Sequence, residues 1–367
     1  MPLILSGDTG VPVTTVTGTL PVANGGTGSA TNATGFKNRI INGAMVIDQR
    51  NAGASVTPSD TAYTLDRWNA GLTQASKFSV QQSSTAPTGF SSSLLVTSLS
   101  AYSVVSGDLF RIGQYIEGFN FADLGWGTAS AQSITLSFQV RSSLTGTFSG
   151  AIANSAFNRS YPFTYTIGAA NTWETKTVTI AGDTTGTWIG STNGIGARVN
   201  FSLGAGSTYS GTAGAWAAST LIAATGATSV VGTNGATFYL TGVQLEVGST
   251  ATSFEYRPYG TELMLCQRYY EAIGGSFGGN AYSTTYFMGA AGFRVSKRAA
   301  PTLAFITTTP TIYQAGLGNV TAGTAINAAS TANVDGFYMA VGGFAGLTAQ
   351  DGCGMVTASV FSASSEL

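Results

Sequence analysis

Histidine is absent from all 367 residues. Serine-histidine and cysteine-histidine catalysis, histidine-ligated zinc and the usual pH switch are excluded with it. Charge is scarce too, since Asp, Glu, Lys and Arg supply 8% of the chain against about 25% in an ordinary globular protein. Long solvated helices and coiled coils are excluded. The 15 basic and 16 acidic side chains nearly cancel, so no general field draws phosphate backbones or anionic lipid, and nucleic acid is not an expected partner. Two cysteines, Cys266 and Cys353, cannot make the dense disulfide framework of a small secreted domain, and they read as plain buried thiols. No stretch reaches the roughly 18 uncharged apolar residues of a spanning helix, so no membrane insertion is expected. Met1 to Leu5 has no basic flank and gives way to Ser6-Gly7-Asp8, unlike a secretory signal. A soluble protein made in a cytosol is the expectation. Gly25-Gly26-Thr27-Gly28 lacks the spacing and following helix of a phosphate cradle and reads as a turn, so no cofactor is expected.

What is abundant is glycine, at 49 residues, together with short runs of alternating apolar and polar side chains. Ile134, Leu136, Phe138 and Val140 alternate with Ser133, Thr135, Ser137, Gln139 and Arg141, the period of a half-buried strand. Similar runs lie at 78–82, 94–99, 175–180, 199–203 and 238–247, separated by turn material such as Thr145-Gly146-Thr147 and Asn193-Gly194. Strand, turn and strand at this spacing predict an all-β protein built on a jelly-roll β-sandwich over 36–259. A connector over 260–271 holds one short helix, Thr261 to Tyr270, with Thr261 as its cap. A C-terminal, distal, sandwich-like β domain over 272–367 follows, with strands expected at 282–288, 303–307, 336–341 and 355–361. Residues 1–35 are too short and glycine-rich to bury a core alone. They are either extended against partner chains or a flexible leader. No charge occurs between Arg198 and Glu246 or between Arg298 and Asp335, so hydroxyls and amides wet those surfaces or another chain covers them.

Three segments carry a family resemblance. The first is Leu3 to Gly10 with Gly18-Thr19-Leu20-Pro21-Val22-Ala23-Asn24-Gly25-Gly26-Thr27-Gly28. The second is Asn38-Arg39-Ile40-Ile41-Asn42-Gly43-Ala44-Met45 running into Asp48-Gln49-Arg50 and Tyr63-Thr64-Leu65-Asp66-Arg67-Trp68. The third is Thr241 to Gly248 through Phe254-Glu255-Tyr256-Arg257-Pro258-Tyr259 to Cys266-Gln267-Arg268-Tyr269-Tyr270. Together they resemble bacteriophage tail fibre and receptor-binding proteins with a carbohydrate-binding-module-like jelly roll; Arg298 to Thr302 and Ser364 to Leu367 resemble the closing strands of such fibres more faintly. The resemblance thins after about residue 270. It implies a virion tail protein that is a homotrimer, held to a tail or baseplate protein by its N-terminal segment and presented to a host-surface polysaccharide or lipopolysaccharide. Leu3, Ile4, Leu5, Val11, Val13, Val16 and Leu20 are the apolar residues of that attachment segment.

The borders also have a physical reading. Asn38 to Met45 and Val243 to Val247 are expected as neighbours, with Asp66 and Arg67 pairing Arg257 or Glu255 at one end of the sandwich. Sugar contact needs flat aromatic faces among amides and hydroxyls. Trp188, Tyr209 and Trp216 in Gly/Ser/Thr stretches, and Tyr282, Tyr286, Tyr313 and Tyr338 in the last domain, are the glycan-binding candidates; the competing reading is that each plugs a sandwich end. Hydrolysis needs two carboxylates about 5 to 9 Å apart with one held protonated. Asp108, Glu117 and Asp123 lie close in sequence without a motif that sets them in a cleft, so they read as solvent-facing loop acids and no catalytic residue is assigned. No Asp-rich loop marks calcium, and no metal ligand is assigned either. A weak sugar site repeated in an oligomer gains avidity roughly 10²- to 10⁴-fold. Non-catalytic adhesion is therefore the expected mechanism, with a polysaccharide depolymerase or a purely structural tail or baseplate protein as alternatives.

Overall fold

Alternation along the chain becomes two facing antiparallel sheets. In the computed structural model, which describes residues 36–274, 277–357 and 360–367 and excludes the side chains of 327–330, one sheet has six strands in the order Tyr63–Leu65, Trp68–Leu72, Leu109–Glu117, Ile195–Ala205, Gly146–Asn154, Ser160–Ile167. The other has five, in the order Phe78–Ser83, Ser93–Ser98, Thr237–Val247, Ile134–Ser142, Glu174–Ile180. Ile134, Leu136, Phe138 and Val140 all point inward and are buried. They meet Phe110, Ile112, Phe201 and Leu203 from the facing sheet, with Phe138 edge-on to Phe201 at 5.1 Å between ring centres. The protein is an all-β jelly-roll sandwich, and the expected strands from 78 to 247 lie within a residue or a few of their observed bounds.

The entry segment is stitched to the exit strand. Asn38 Nδ2 donates to the Val243 carbonyl, its Oδ1 accepts from Leu245 N, and Arg39 N donates to the Leu245 carbonyl. The expected neighbours are thus adjacent, joined by the Asn38 carboxamide and by the backbone bonds of Arg39 N to the Leu245 carbonyl and Val243 N to the Gly43 carbonyl instead of a full ladder. Gly43 sits where any Cβ would fall 2.2 Å from the Val243 carbonyl oxygen, so only glycine allows this approach.

A single α-helix, Tyr259–Gln267, follows the sandwich among the described residues. Pro258 precedes it, and its fixed φ suits a helix start; Thr261 lies inside the helix and does not cap it. Beyond the helix, Tyr270–Ile273, Phe361–Ser364 and Thr302–Phe305 form a three-stranded sheet. It packs on a seven-stranded one, ordered Gly318–Thr321, Thr311–Gln314, Gly352–Met355, Phe277–Ala281, Tyr286–Gly292, Gly336–Gly342, Ile326–Ala332. Phe287, Phe337, Met339, Met355 and Phe361 are buried between them. The strand expected over 355–361 is instead divided between two strands, Gly352–Met355 and Phe361–Ser364, which belong to different sheets. Asn38–Leu367 forms one compact unit.

Buried ion pairs tie the two halves of that unit together, and here the expected pairing is corrected. Asp66 and Arg67 do not meet Arg257 or Glu255. Arg67 has a positive φ of 70°, is buried and pairs with Glu366. Asp66 accepts from Gln49 N and Nε2, both at 2.7 Å. Arg257 is held by Glu255 at 3.1 Å and Glu262 at 3.4 Å. Glu117 completes the seam, accepting from Arg268 Nη2 at 2.7 Å and from the Tyr269 hydroxyl at 2.5 Å.

Candidate functional site

A cleft of about 420 Å³ lies between the entry segment, the loop around Gly89, the stretch Phe254 to Arg257 and the helix. Its volume is in the range of small-ligand sites. Phe90, Phe254 and Tyr256 form one wall, their ring centres 4.9 to 5.4 Å apart. The Tyr256 hydroxyl donates to the Gly89 carbonyl at 2.8 Å, which anchors a side chain that is otherwise 59% exposed. Glu255, Glu262, Arg257, Asn38 and Ser91 supply the polar lining. Glu255 accepts from Asn38 N and Arg257 Nε. Glu262 accepts from Asn42 N and Arg257 Nη1. The carboxylates are positioned by these donors, and the set offers flat apolar faces beside fixed hydrogen-bond acceptors.

Sequence reasoning did not single out Phe90, Phe254 or Tyr256 as site residues. A signal existed, because Phe254-Glu255-Tyr256-Arg257 alternates ring and charge just after the last sandwich strand, with the strand partner of none of the rings evident. Phe90 carries no such mark.

The structure brings Trp188 and Trp216 together at another place. With the buried Trp126 and Phe121 they form a cluster in which Trp126 lies 4.7 Å from Trp188 and 5.2 Å from Trp216. Trp188 Nε1 donates to Asp183 and Trp216 Nε1 to the Ala181 carbonyl. Both rings pack against the sandwich core and stay half-exposed. Arg159 grips Asp183 at 2.8 and 2.7 Å. Burial raises the Asp183 pKa, but the bonds from Arg159, Trp188 and Thr185 outweigh it and hold the carboxyl below its ordinary value. Tyr209 is not part of this cluster; its carbonyl accepts from Ile222 N in the loop after Ala205.

Among the distal candidates, Tyr286, Tyr313 and Tyr338 share the outer face of the seven-stranded sheet, while Tyr282 stands in the turn before Tyr286. Tyr282, Tyr313 and Tyr338 are exposed and Tyr286 is half-buried. Leu3, Ile4, Leu5, Val11, Val13, Val16 and Leu20 lie outside the described residues.

The three acids are not alike, and the expectation of solvent-facing carboxylates holds for one alone. Asp123 is exposed and pairs with Arg39 at 2.6 Å. Asp108 and Glu117 are buried. Asp108 accepts from Thr73, the Tyr102 hydroxyl and Val105 N; burial raises its pKa, but these bonds together lower it. Glu117 belongs to the seam with Arg268 and Tyr269. Each acid therefore has its own partners. No three Cys, Asp or Glu side chains among the described residues are gathered closely enough to hold a metal ion.

No protein-family model matches the chain. No curated protein matches it either. Solved structures do. The enzymatically active domain of tailspike protein 4 from bacteriophage CBA120 matches at 12% identity and TM-score 0.30, over 52% of this chain and 21% of that one. The chain thus spans about a fifth of the tailspike it matches. The family 11 carbohydrate-binding module of a cellulosomal cellulase of Clostridium thermocellum matches at 12% identity and TM-score 0.28, over 55% of this chain and 99% of the module. The CBM22-1 xylan-binding domain of Paenibacillus barcinonensis Xyn10C matches at 10% identity and TM-score 0.26, over 55% of this chain and 99% of the domain.

Proposed function

We propose that the protein is a non-catalytic glycan-binding adhesin of a bacteriophage tail, a fibre that anchors through its N-terminal segment and holds host-surface polysaccharide or lipopolysaccharide. The observation that carries glycan binding is the cleft lined by Phe90, Phe254 and Tyr256 beside Glu255 and Asn38. A pyranose has an apolar C–H face and an equatorial rim of hydroxyls. Rings of the kind on the cleft wall take the first, and a fixed carboxylate takes the second. Glu255 and Glu262 are already engaged by Arg257 and by backbone amides. Such acids orient a ligand. Tail location and homotrimeric assembly rest on the sequence resemblance in the segments around Gly18 to Gly28, Asn38 to Trp68 and Thr241 to Tyr270.

The test is competition for adsorption. Purified full-length protein is expected to slow adsorption of its phage to host cells, and Tyr256→Ala is expected to lose that effect while keeping the native melting temperature. If the wild-type protein does not compete, a structural tail role replaces this reading. Release of reducing ends from host polysaccharide, abolished by Glu255→Gln, would replace it with a depolymerase.

A further inference from the structure

Three glycines of the seven-stranded sheet have no internal reason to be glycine. Gly278, Gly352 and Gly354 lie within strands, none has a positive φ, and a Cβ added to any of them meets nothing within 4 Å among the described residues. Their neighbours on the inner face behave differently. A Cβ on Gly279 would strike the Met288 carbonyl oxygen at 2.0 Å, and one on Gly289 would press the Phe287 ring at 3.0 Å. Core packing explains those two. Glycine inside a strand weakens it, and where neither a bulge nor packing requires it, the remaining physical reason is close approach by something from outside.

The register shows what the bare positions create. Tyr313 pairs with Gly354, Gly354 with Gly278, and Ala290 with Tyr338. Gly279 pairs with Gly289, so the next pair along sets Ala290 beside Gly278. One row across five strands therefore reads tyrosine, glycine, glycine, alanine, tyrosine. Four strand spacings put the two tyrosine backbones about 19 Å apart. Both tyrosines are exposed, at 53% and 38%. The adjoining row brings Gly352 beside Asn280, which adds an amide to the floor. No charged side chain stands in either row.

We infer that this trough is a binding site for a neutral, linear oligosaccharide, laid across the strands on the glycine floor and clasped at its ends by Tyr313 and Tyr338. The inference extends the glycan-binding reading to a second place. A floor without charge suits a neutral ligand, since an acidic sugar would leave its carboxylate without a counter-ion. The bare glycine positions let flat rings lie against backbone beside Asn280 and Met288, and two aromatic walls a fixed distance apart select a chain over a single ring. A second copy of the protein fits less well. The two rows cover about 19 Å by 10 Å, roughly 200 Å², far below the roughly 800 Å² per partner of a stable interface.

Filling the floor tests this directly, because Gly278→Val and Gly354→Val add methyl groups into open space and favour the strand. Both variants are expected to melt at or above the wild-type temperature. Wild-type full-length protein, these variants, Tyr313→Ala and the cleft variant Tyr256→Ala are applied to an array of neutral and acidic bacterial surface polysaccharides. The expected result is that wild type retains at least one neutral linear polysaccharide, while the floor and Tyr313 variants hold it at least about tenfold more weakly. Undiminished retention by Gly278→Val and Gly354→Val overturns the inference. If those variants instead shift the sedimentation coefficient and leave glycan retention alone, the face joins copies of the chain and the inference is equally overturned. Loss of all glycan in Tyr256→Ala with full retention in the floor variants defeats the trough and leaves the cleft standing; no retention by wild type defeats both.

Discussion

The guanidinium of Arg67 lies over the ring of Tyr269, 3.5 Å from its centre. The two residues come from opposite halves of the compact unit. Arg67 follows the first sandwich strand, and Tyr269 stands between the helix and the strand Tyr270–Ile273. Glu366 closes the arrangement from the last strand's end, pairing with Arg67 and with Arg50. Burial lowers the affinity of Arg67 for its proton, but Glu366, Tyr269 and Tyr63 together raise it above the ordinary value. Removing one partner of a buried pair leaves the other charge uncompensated, at about 3–5 kcal/mol. Glu366→Gln is therefore expected to lower stability by about that amount in denaturant titration. Replacing Arg67 and Glu366 together with apolar residues is expected to cost less than Glu366→Gln alone. A double-variant loss equal to the sum of the losses in the two single variants would show that the pair is not coupled.

Asp66 gives a pH dependence of unusual sign. Burial pushes its carboxyl up from 3.8 to about 6, against smaller opposing effects from Arg50 and Gln49. A carboxyl whose folded value is raised binds its proton more tightly when folded, so its contribution is present below 3.8 and is lost as pH rises through about 6. The shift corresponds to about 3 kcal/mol. Relative to Asp66→Asn, the wild-type protein is expected to lose roughly that much stability between pH 4 and pH 7. Asp183, whose value is lowered, works the other way and is lost as pH falls. Parallel stability curves for wild type and Asp66→Asn would contradict the assignment.

The tryptophan cluster separates packing from display. Trp126 is 6% exposed and touches both Trp188 and Trp216. Trp126→Ala is expected to cost about 3–5 kcal/mol. Trp216, half-exposed at the rim, is expected to cost no more than about 2 kcal/mol on truncation. Thermal melts of the two variants check the order, and a larger loss for Trp216 would reverse it.

Both thiols are expected to be inert. Burial pushes Cys266 well above its ordinary value, and it raises Cys353 as well. A thiol reagent should find neither cysteine rapidly in the native protein and both after denaturation. Fast native labelling of either one would contradict the burial described.

Much of the sandwich was legible because its strands alternate. Ile134 to Val140 and Phe238 to Val247 read directly as half-buried runs, and their inward faces are the observed core. The ion-pair seam was not legible. Nothing local in Asp66-Arg67-Trp68 tells that Arg67 takes a positive φ and reaches a residue 299 positions away. Asp108 and Glu117 were misjudged for the same reason, since their partners Tyr102, Thr73, Arg268 and Tyr269 are brought in by the fold. The cleft is a meeting of four segments, so Phe90 could not announce itself. The distal tyrosines were visible as residues; what the sequence hid was the register that lines them up with glycine.

The central claim, that the cleft beside Tyr256 holds glycan without cutting it, is tested most directly by calorimetric titration of the full-length protein with host-surface polysaccharide, followed by sizing of the recovered polymer. The account predicts saturable binding by wild type, a loss of at least about tenfold in Tyr256→Ala and Phe90→Ala, and recovered polysaccharide of unchanged length. Equal affinity in the variants, or shortened polysaccharide after incubation with wild type, would contradict it.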